Sequence, residues 1–231
     1  MKTNQDYKNA ALAALKGNWA SAVLAAVLLM IIMLIYVFPS EYLNFKYSGS
    51  AAALSPEEAL AMLKKVLGLV PLTTLVGIFL IYPLELGYYN AHRYLLTRGE
   101  DDLAGNMFRI AFKGYGHKVW GIFLMSLYIL LWTFLFIIPG IIKAFSYAMT
   151  PFILEEHPEL SANEAIDRSR AMMKGRKFDL FYLCLSFIGW ILICILTLGI
   201  GLLWLMPYMT TSIASFYEDA KEDYEKIAIE G

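Results

Sequence analysis

The sequence predicts an all-α polytopic membrane protein: six transmembrane helices arranged as three hairpins, each preceded by a cytoplasmic interfacial helix. Three observations carry that prediction. Hydrophobic residues make up 59% of the 231 residues and charged residues 17%, with a mean hydropathy of +0.56, more apolar than soluble composition allows. Apolar runs long enough to cross a bilayer recur along the chain. Lysine and arginine gather on one side of those runs.

The runs are Trp19 to Phe38, Val66 to Tyr89, Val119 to Leu154 and Leu180 to Phe216. A crossing needs about 20 apolar residues at 1.5 Å each, so the last two runs are too long for one crossing apiece. Each contains helix breakers near its middle, Pro139-Gly140 in one and Gly199 with Gly201 in the other. A tight turn costs little there. Splitting at those points gives six crossings, and the pair around Pro139-Gly140 is short enough that a re-entrant hairpin is the alternative to two full spans. The first run is too long for a signal-peptide core and has no small-x-small cleavage site after it, so it reads as a retained helix.

Six crossings place Lys2, Lys8, Lys16, Arg93, Arg98, Arg109, Lys113, Lys118, Arg168, Arg170, Lys174, Arg176, Lys177, Lys221 and Lys226 on one side, and Lys46, Lys64, Lys65 and Lys143 on the other. Basic residues resist translocation, so both termini are expected in the cytoplasm. In the outward segment after the first helix, Ser55-Pro56-Glu57-Glu58 supplies an N-cap, a proline at N1 and a capping-box glutamate ahead of Leu60, Leu63 and Leu67. A short external helix on the membrane surface is expected there.

An apolar residue followed by Lys-Gly occurs three times, at Leu15-Lys16-Gly17, Phe112-Lys113-Gly114 and Met173-Lys174-Gly175, each just before the first helix of a hairpin. Upstream of each lies a stretch with helical periodicity: Tyr7, Ala11, Ala14 and Leu15; Met107, Phe108, Ala111 and Phe112; Ala165, Ile166, Ser169, Met172 and Met173. The third has its own capping box, Ser161 with Glu164. Tyr147-Ala148-Met149-Thr150-Pro151 also echoes Pro207-Tyr208-Met209-Thr210-Thr211. The chain therefore reads as one membrane domain, 1–231, built of three units at about 1–99, 100–160 and 161–231, each an interfacial helix followed by a hairpin.

Chemistry-bearing residues are few. A net charge of −1 gives no field to recruit nucleic acid. Cys184 and Cys194 lie too far apart on one helix to pair and have no metal-ligand spacing. His92, His117 and His157 are scattered through expected cytoplasmic loops. No nucleotide-binding, nucleophile-elbow or zinc-protease pattern is present, so no cofactor, metal or catalytic set is expected. Ionisable groups inside a bilayer are functional candidates by default, and only Glu85 and Lys143 qualify. Glu85 either reaches water or pairs with Arg93 two turns on, and Lys143 snorkels. Pro71, Pro83, Pro151 and Pro207 fall within expected helices, where each frees a carbonyl. Thr150, Thr210, Thr211, Ser212 and Ser215 line a polar cavity with those carbonyls or satisfy them between packed helices. Lys16, Lys113, Arg168, Ser169, Arg170, Lys174 and Arg176 are the candidates for contact with headgroups or a protein partner.

With Pro139-Gly140-Ile141-Ile142-Lys143, Tyr147, Ala165-x-x-x-Ser169, Met173-Lys174-Gly175, Gly199-x-Gly201 and Pro207-Tyr208, the chain resembles the bacterial membrane proteins grouped as domain-of-unknown-function family 975. The resemblance runs over nearly the whole chain and is most specific from about Trp132 to Tyr217. A looser similarity runs to the membrane domain attached to some glycerophosphodiester phosphodiesterases, whose catalytic residues belong to a separate soluble domain that has no counterpart here. The family implies a bacterial plasma membrane and no established activity. The leading expectation is a non-enzymatic protein that binds or moves a lipid-like or small amphiphilic molecule through a cavity near Glu85 and Thr210. The alternative is a scaffold whose cytoplasmic helices dock a protein.

Overall fold

The computed structural model describes residues 2–48 and 55–230, and the described residues are helical throughout, with no strand among them. In order the helices are α1 (Asn4–Leu15), α2 (Trp19–Ser48), α3 (Pro56–Val76), α4 (Tyr82–Arg98), α5 (Leu103–Phe112), α6 (Tyr115–Leu135), α7 (Ile137–Tyr147), α8 (Thr150–Glu156), α9 (Ala162–Met172), α10 (Lys177–Leu185), α11 (Ile188–Leu196) and α12 (Leu202–Glu230). A π-helical turn, Gly77–Ile81, joins α3 to α4.

Among the described residues five stretches are long and apolar enough to cross a membrane: Trp19–Pro39, Leu63–Arg98, Tyr115–Leu135, Ile137–Glu156 and Lys177–Leu196. The expected sixth crossing lies within α12, an unbroken helix whose polar run Thr210-Thr211-Ser212 and acidic Glu218 and Asp219 dilute its apolar start. Large apolar side chains stay exposed along these helices, from Leu34, Ile35 and Phe38 through Phe134, Phe136, Ile137 and Ile138 to Leu196 and Leu198. Exposed apolar surface on that scale is what a hydrocarbon surrounding accepts and water does not.

The short helices pack against the longer ones. All three Lys-Gly pairs end a helix: α1, α5 and α9 stop just before them, and Gly17, Gly114 and Gly175 stand at φ +87°, +64° and +85°. That left-handed backbone suits glycine alone, and it turns each chain into the next, longer helix. The expected capping box of Ser161 with Glu164 is formed on α9, and Thr3 with Asp6 adds one to α1 that was not expected. Helix α5 lies so close to α4 that a Cβ on Gly87 would sit 2.1 Å from the Met107 carbonyl oxygen. Ser169, fully buried on α9, donates to the Ser146 carbonyl at 3.0 Å and accepts from the Met149 amide at 3.2 Å. It thereby satisfies the backbone where α7 breaks into α8.

Several details differ from expectation. The α6–α7 turn falls at Phe136, whose backbone is extended, and not at Pro139-Gly140. Proline needs no amide partner in a first helical turn, so Pro139 starts α7, and Gly140 lets α7 approach Thr133, whose Cα a Cβ there would meet at 2.7 Å. The Gly199–Gly201 turn is where it was expected: Gly199 has φ +88°, and Gly201 leaves room for Cys194. No separate external helix forms, because α3 runs unbroken from Pro56 through Leu60, Leu63 and Leu67 into the crossing. Residues 49–54 of that outward segment and the side chains of Lys46 and Glu58 lie outside the described residues. The Tyr147–Pro151 segment is a helix break, whereas its echo Pro207–Thr211 is continuous helix.

Candidate functional site

The site is built around a backbone irregularity. Pro83 has no amide hydrogen, so the Phe79 carbonyl one turn back loses its helical partner. The chain answers with the wide turn at Gly77–Ile81, closed by the Tyr82 amide on the Gly77 carbonyl, while the Tyr115 hydroxyl donates to the Phe79 carbonyl. Such π-bulges recur at functional positions because they rotate the residues that follow. Glu85 stands two residues past this proline.

Two cavities flank it. One, of about 370 Å³, lies among Tyr82, Tyr89, Met125, Phe145, Phe152 and Leu180. The other, of about 450 Å³, lies among Leu29, Met33, Tyr88, Met206, Met209 and Thr210. Glu85, Tyr89 and Ile213 line both. These volumes fall within the range of small-molecule pockets, and the walls are aromatic and thioether with one carboxyl group. Glu85 is half-buried, and among the described residues no cation or hydrogen-bond donor engages its carboxylate. The Tyr88 hydroxyl is buried in the wall of the second cavity, which Thr210 also lines.

The expected pairing of Glu85 with Arg93 is replaced. Arg93 points instead to Glu156 at 2.7 Å and Glu218 at 2.5 Å and lies over the Tyr217 ring. Lys221 reaches Glu156 at 2.6 Å and Tyr217 donates to it at 2.5 Å. Beside them, buried Lys118 pairs with Glu155, which also accepts from Tyr94 at 2.6 Å. A third cluster joins α1, α12 and the start of α10. Arg176 pairs with Asp219 and, at 2.8 Å, with Asp223, and Tyr7 donates to Asp219 at 2.8 Å. Burial opposes ionisation of Asp219, but the hydrogen bonds from Arg176 and Tyr7 outweigh it and hold the carboxyl below its ordinary range. Burial, with the hydrogen bond to Asp219, pushes the Tyr7 phenol well up.

The other expected site residues scatter. Thr210 lines the second cavity, whereas Thr211 donates to the Pro207 carbonyl at 2.7 Å and Ser212 to the Tyr208 carbonyl at 2.8 Å, both as packing groups. Thr150 is fully buried away from both cavities, its hydroxyl unpartnered. Lys143 stands over the Trp132 ring at 4.6 Å. Lys16, Lys113 and Lys174 are exposed, as is Arg170, which pairs with Asp167 at 3.1 Å. Arg168 is half-buried against Tyr224, with Glu225 at 3.8 Å. His92 is a correction: it is completely buried within α4, its Nδ1 on the Tyr88 carbonyl at 2.9 Å, while His117 opens α6 and His157 follows α8. No group of three or more metal-ligating side chains occurs among the described residues.

The ionic clusters are the part that residue-type reasoning missed. Their one signal was Glu155-Glu156 directly after an apolar run, facing Arg93 and Lys118 from other apolar helices.

No curated protein and no solved structure matches the chain. The looser similarity to the phosphodiesterase membrane domain is not shown by these comparisons. The match that does exist starts in α6, takes in the α6–α7 turn, Ser169 and the third Lys-Gly pair, and ends in α12 beyond Asp219. Residues 122–223 match the family model described as "Protein of unknown function (DUF975)", and the chain is similar to that family over those residues.

Proposed function

We propose that this is a non-enzymatic, multi-pass membrane protein that binds a lipid-like or small amphiphilic molecule in the cavities flanking Glu85. The observation that carries the reading is the pair of apolar cavities sharing one half-buried carboxyl group that has no cation among the described residues. Volume lined by aromatic and methionine side chains takes an acyl or aryl body, and the carboxyl group orients a polar end. Exposed Lys16, Lys113 and Lys174 at the feet of the three hairpin units suit anionic headgroups. The fifteen-to-four split of basic residues supports cytoplasmic termini, and the family resemblance supports a bacterial plasma membrane. The scaffold alternative loses Arg176, whose guanidinium is held inside the fold by Asp219 and Asp223.

The test is native mass spectrometry of the full chain extracted with its surrounding lipid. Wild type is expected to retain one amphiphile through detergent washes, and Ile213→Trp, which pushes an indole in from the wall both cavities share, is expected to lose it. Equal retention by both, or none by either, contradicts the proposal.

A further inference from the structure

The polarity of the bound molecule follows from what Glu85 lacks. Three buried cations of this bundle are each matched by carboxylates: Arg93 by Glu156 and Glu218, Lys118 by Glu155, Arg176 by Asp219 and Asp223. Lys143, the other cation expected within a span, is turned onto Trp132 and Tyr147. Glu85 alone among these faces open volume on two sides, and the rings of Tyr82, Tyr88, Tyr89, Phe145 and Phe152 stand around that volume. A carboxylate bounded by aromatic faces is the environment that recognises an organic ammonium: the charge supplies attraction, and the ring quadrupoles replace part of the cation's hydration. An anionic headgroup finds only repulsion there, since among the described residues no arginine or lysine lines either cavity. The Tyr88 and Thr210 hydroxyls offer polar contacts from the same wall.

We infer that the ligand is a cationic amphiphile, an amine or quaternary ammonium on an apolar body, with its charged end against Glu85 and its body in one of the two cavities. This rests on the amphiphile-binding reading above and sharpens it to a substrate class. Tyr89 and Ile213, which line both cavities, make Glu85 a shared post between two apolar berths, so one headgroup position serves a body lying on either side.

The test uses three probes with one fluorophore: trimethylammonium-diphenylhexatriene, neutral diphenylhexatriene and its propionic acid derivative. Each is titrated into the full chain in phosphatidylcholine nanodiscs, with protein-free nanodiscs as the background. The expected result is saturable binding of the cationic probe about tenfold tighter than the neutral one, and weaker binding still of the anion. Glu85→Gln, nearly isosteric, should erase the cation preference while leaving the neutral probe unchanged, and Ile213→Trp should abolish saturable binding of both. Saturable binding of all three without preference, a preference for the anion, or a cation preference that survives Glu85→Gln overturns the cationic assignment and leaves amphiphile binding standing. Absence of saturable binding by any probe to a wild-type protein that elutes as a single folded species overturns both.

Discussion

Arg93 and Glu85 lie two turns apart on α4, and their surroundings differ in one respect. Arg93 meets two carboxylates and the Tyr217 ring, whereas Glu85 borders two cavities and meets no cation among the described residues. The same contrast runs between the faces of the helix: Gly87 presses against the backbone of α5, while Glu85, two residues earlier, borders open volume. A fold that matches charges so closely at one level has the means to do so at the next. The vacancy beside Glu85 is therefore read as a place for a partner from outside the chain, and the filled level below it as the scaffold that holds the vacancy open.

Breaking the matched level should have the largest effect. Arg93→Met takes the buried guanidinium from Glu156 and Glu218 and leaves them only the half-buried Lys221, and breaking ion pairs whose cation is buried costs about 3 kcal/mol. Thermal unfolding in nanodiscs should report it as a clear drop in midpoint. Next comes Gly87→Ala, whose added methyl group collides with the Met107 carbonyl and forces α5 away from α4. Backbone displacement of that kind costs about 2 kcal/mol. The open level should respond in the opposite direction. Glu85→Leu removes a half-buried carboxyl group that the protein itself does not satisfy, and is expected to leave stability unchanged or raise it by about 1 kcal/mol while abolishing ligand retention. A large loss of stability would mean that Glu85 is a structural group.

The smallest effect is set by pH. The Asp219 carboxyl is held below its ordinary value of 3.8 in the folded protein, so its contribution to stability is fully present above that value and is lost as the pH falls through the depressed folded value. Asp219→Asn should lower stability at neutral pH and flatten the acid limb of the unfolding curve below pH 3.8. An acid limb unchanged in the variant would place the sensitive group elsewhere.

Much of this was legible in the sequence, for reasons that can be named. The Lys-Gly pairs announced helix ends because few residues other than glycine accept the left-handed backbone found at Gly17, Gly114 and Gly175. Glu85 stood out because an acidic residue in an apolar run is costly, and the cavity expected near Glu85 and Thr210 lies beside both. The turn at Phe136 was misplaced by three residues because Pro139 stops a helix from one side and starts it from the other, and the sequence does not say which. The partners of Arg93 were hidden for another reason. Glu156 and Glu218 reach it through helix packing across long separations in the chain, which periodicity along one helix does not encode. His92 was placed in a loop because its helix runs further than its apolar stretch, held there by α5 and not by lipid.

The most direct test of ligand binding beside Glu85 is photolabelling. The full chain in nanodiscs is irradiated with a diazirine-bearing alkylamine, and the adducts are mapped by peptide mass spectrometry. Labels are predicted on Tyr82, Tyr89 and Ile213, competed away by excess dodecyltrimethylammonium and absent in Ile213→Trp. Labels confined to the exposed apolar side chains around Phe134 to Ile138, unaffected by the competitor, would contradict it.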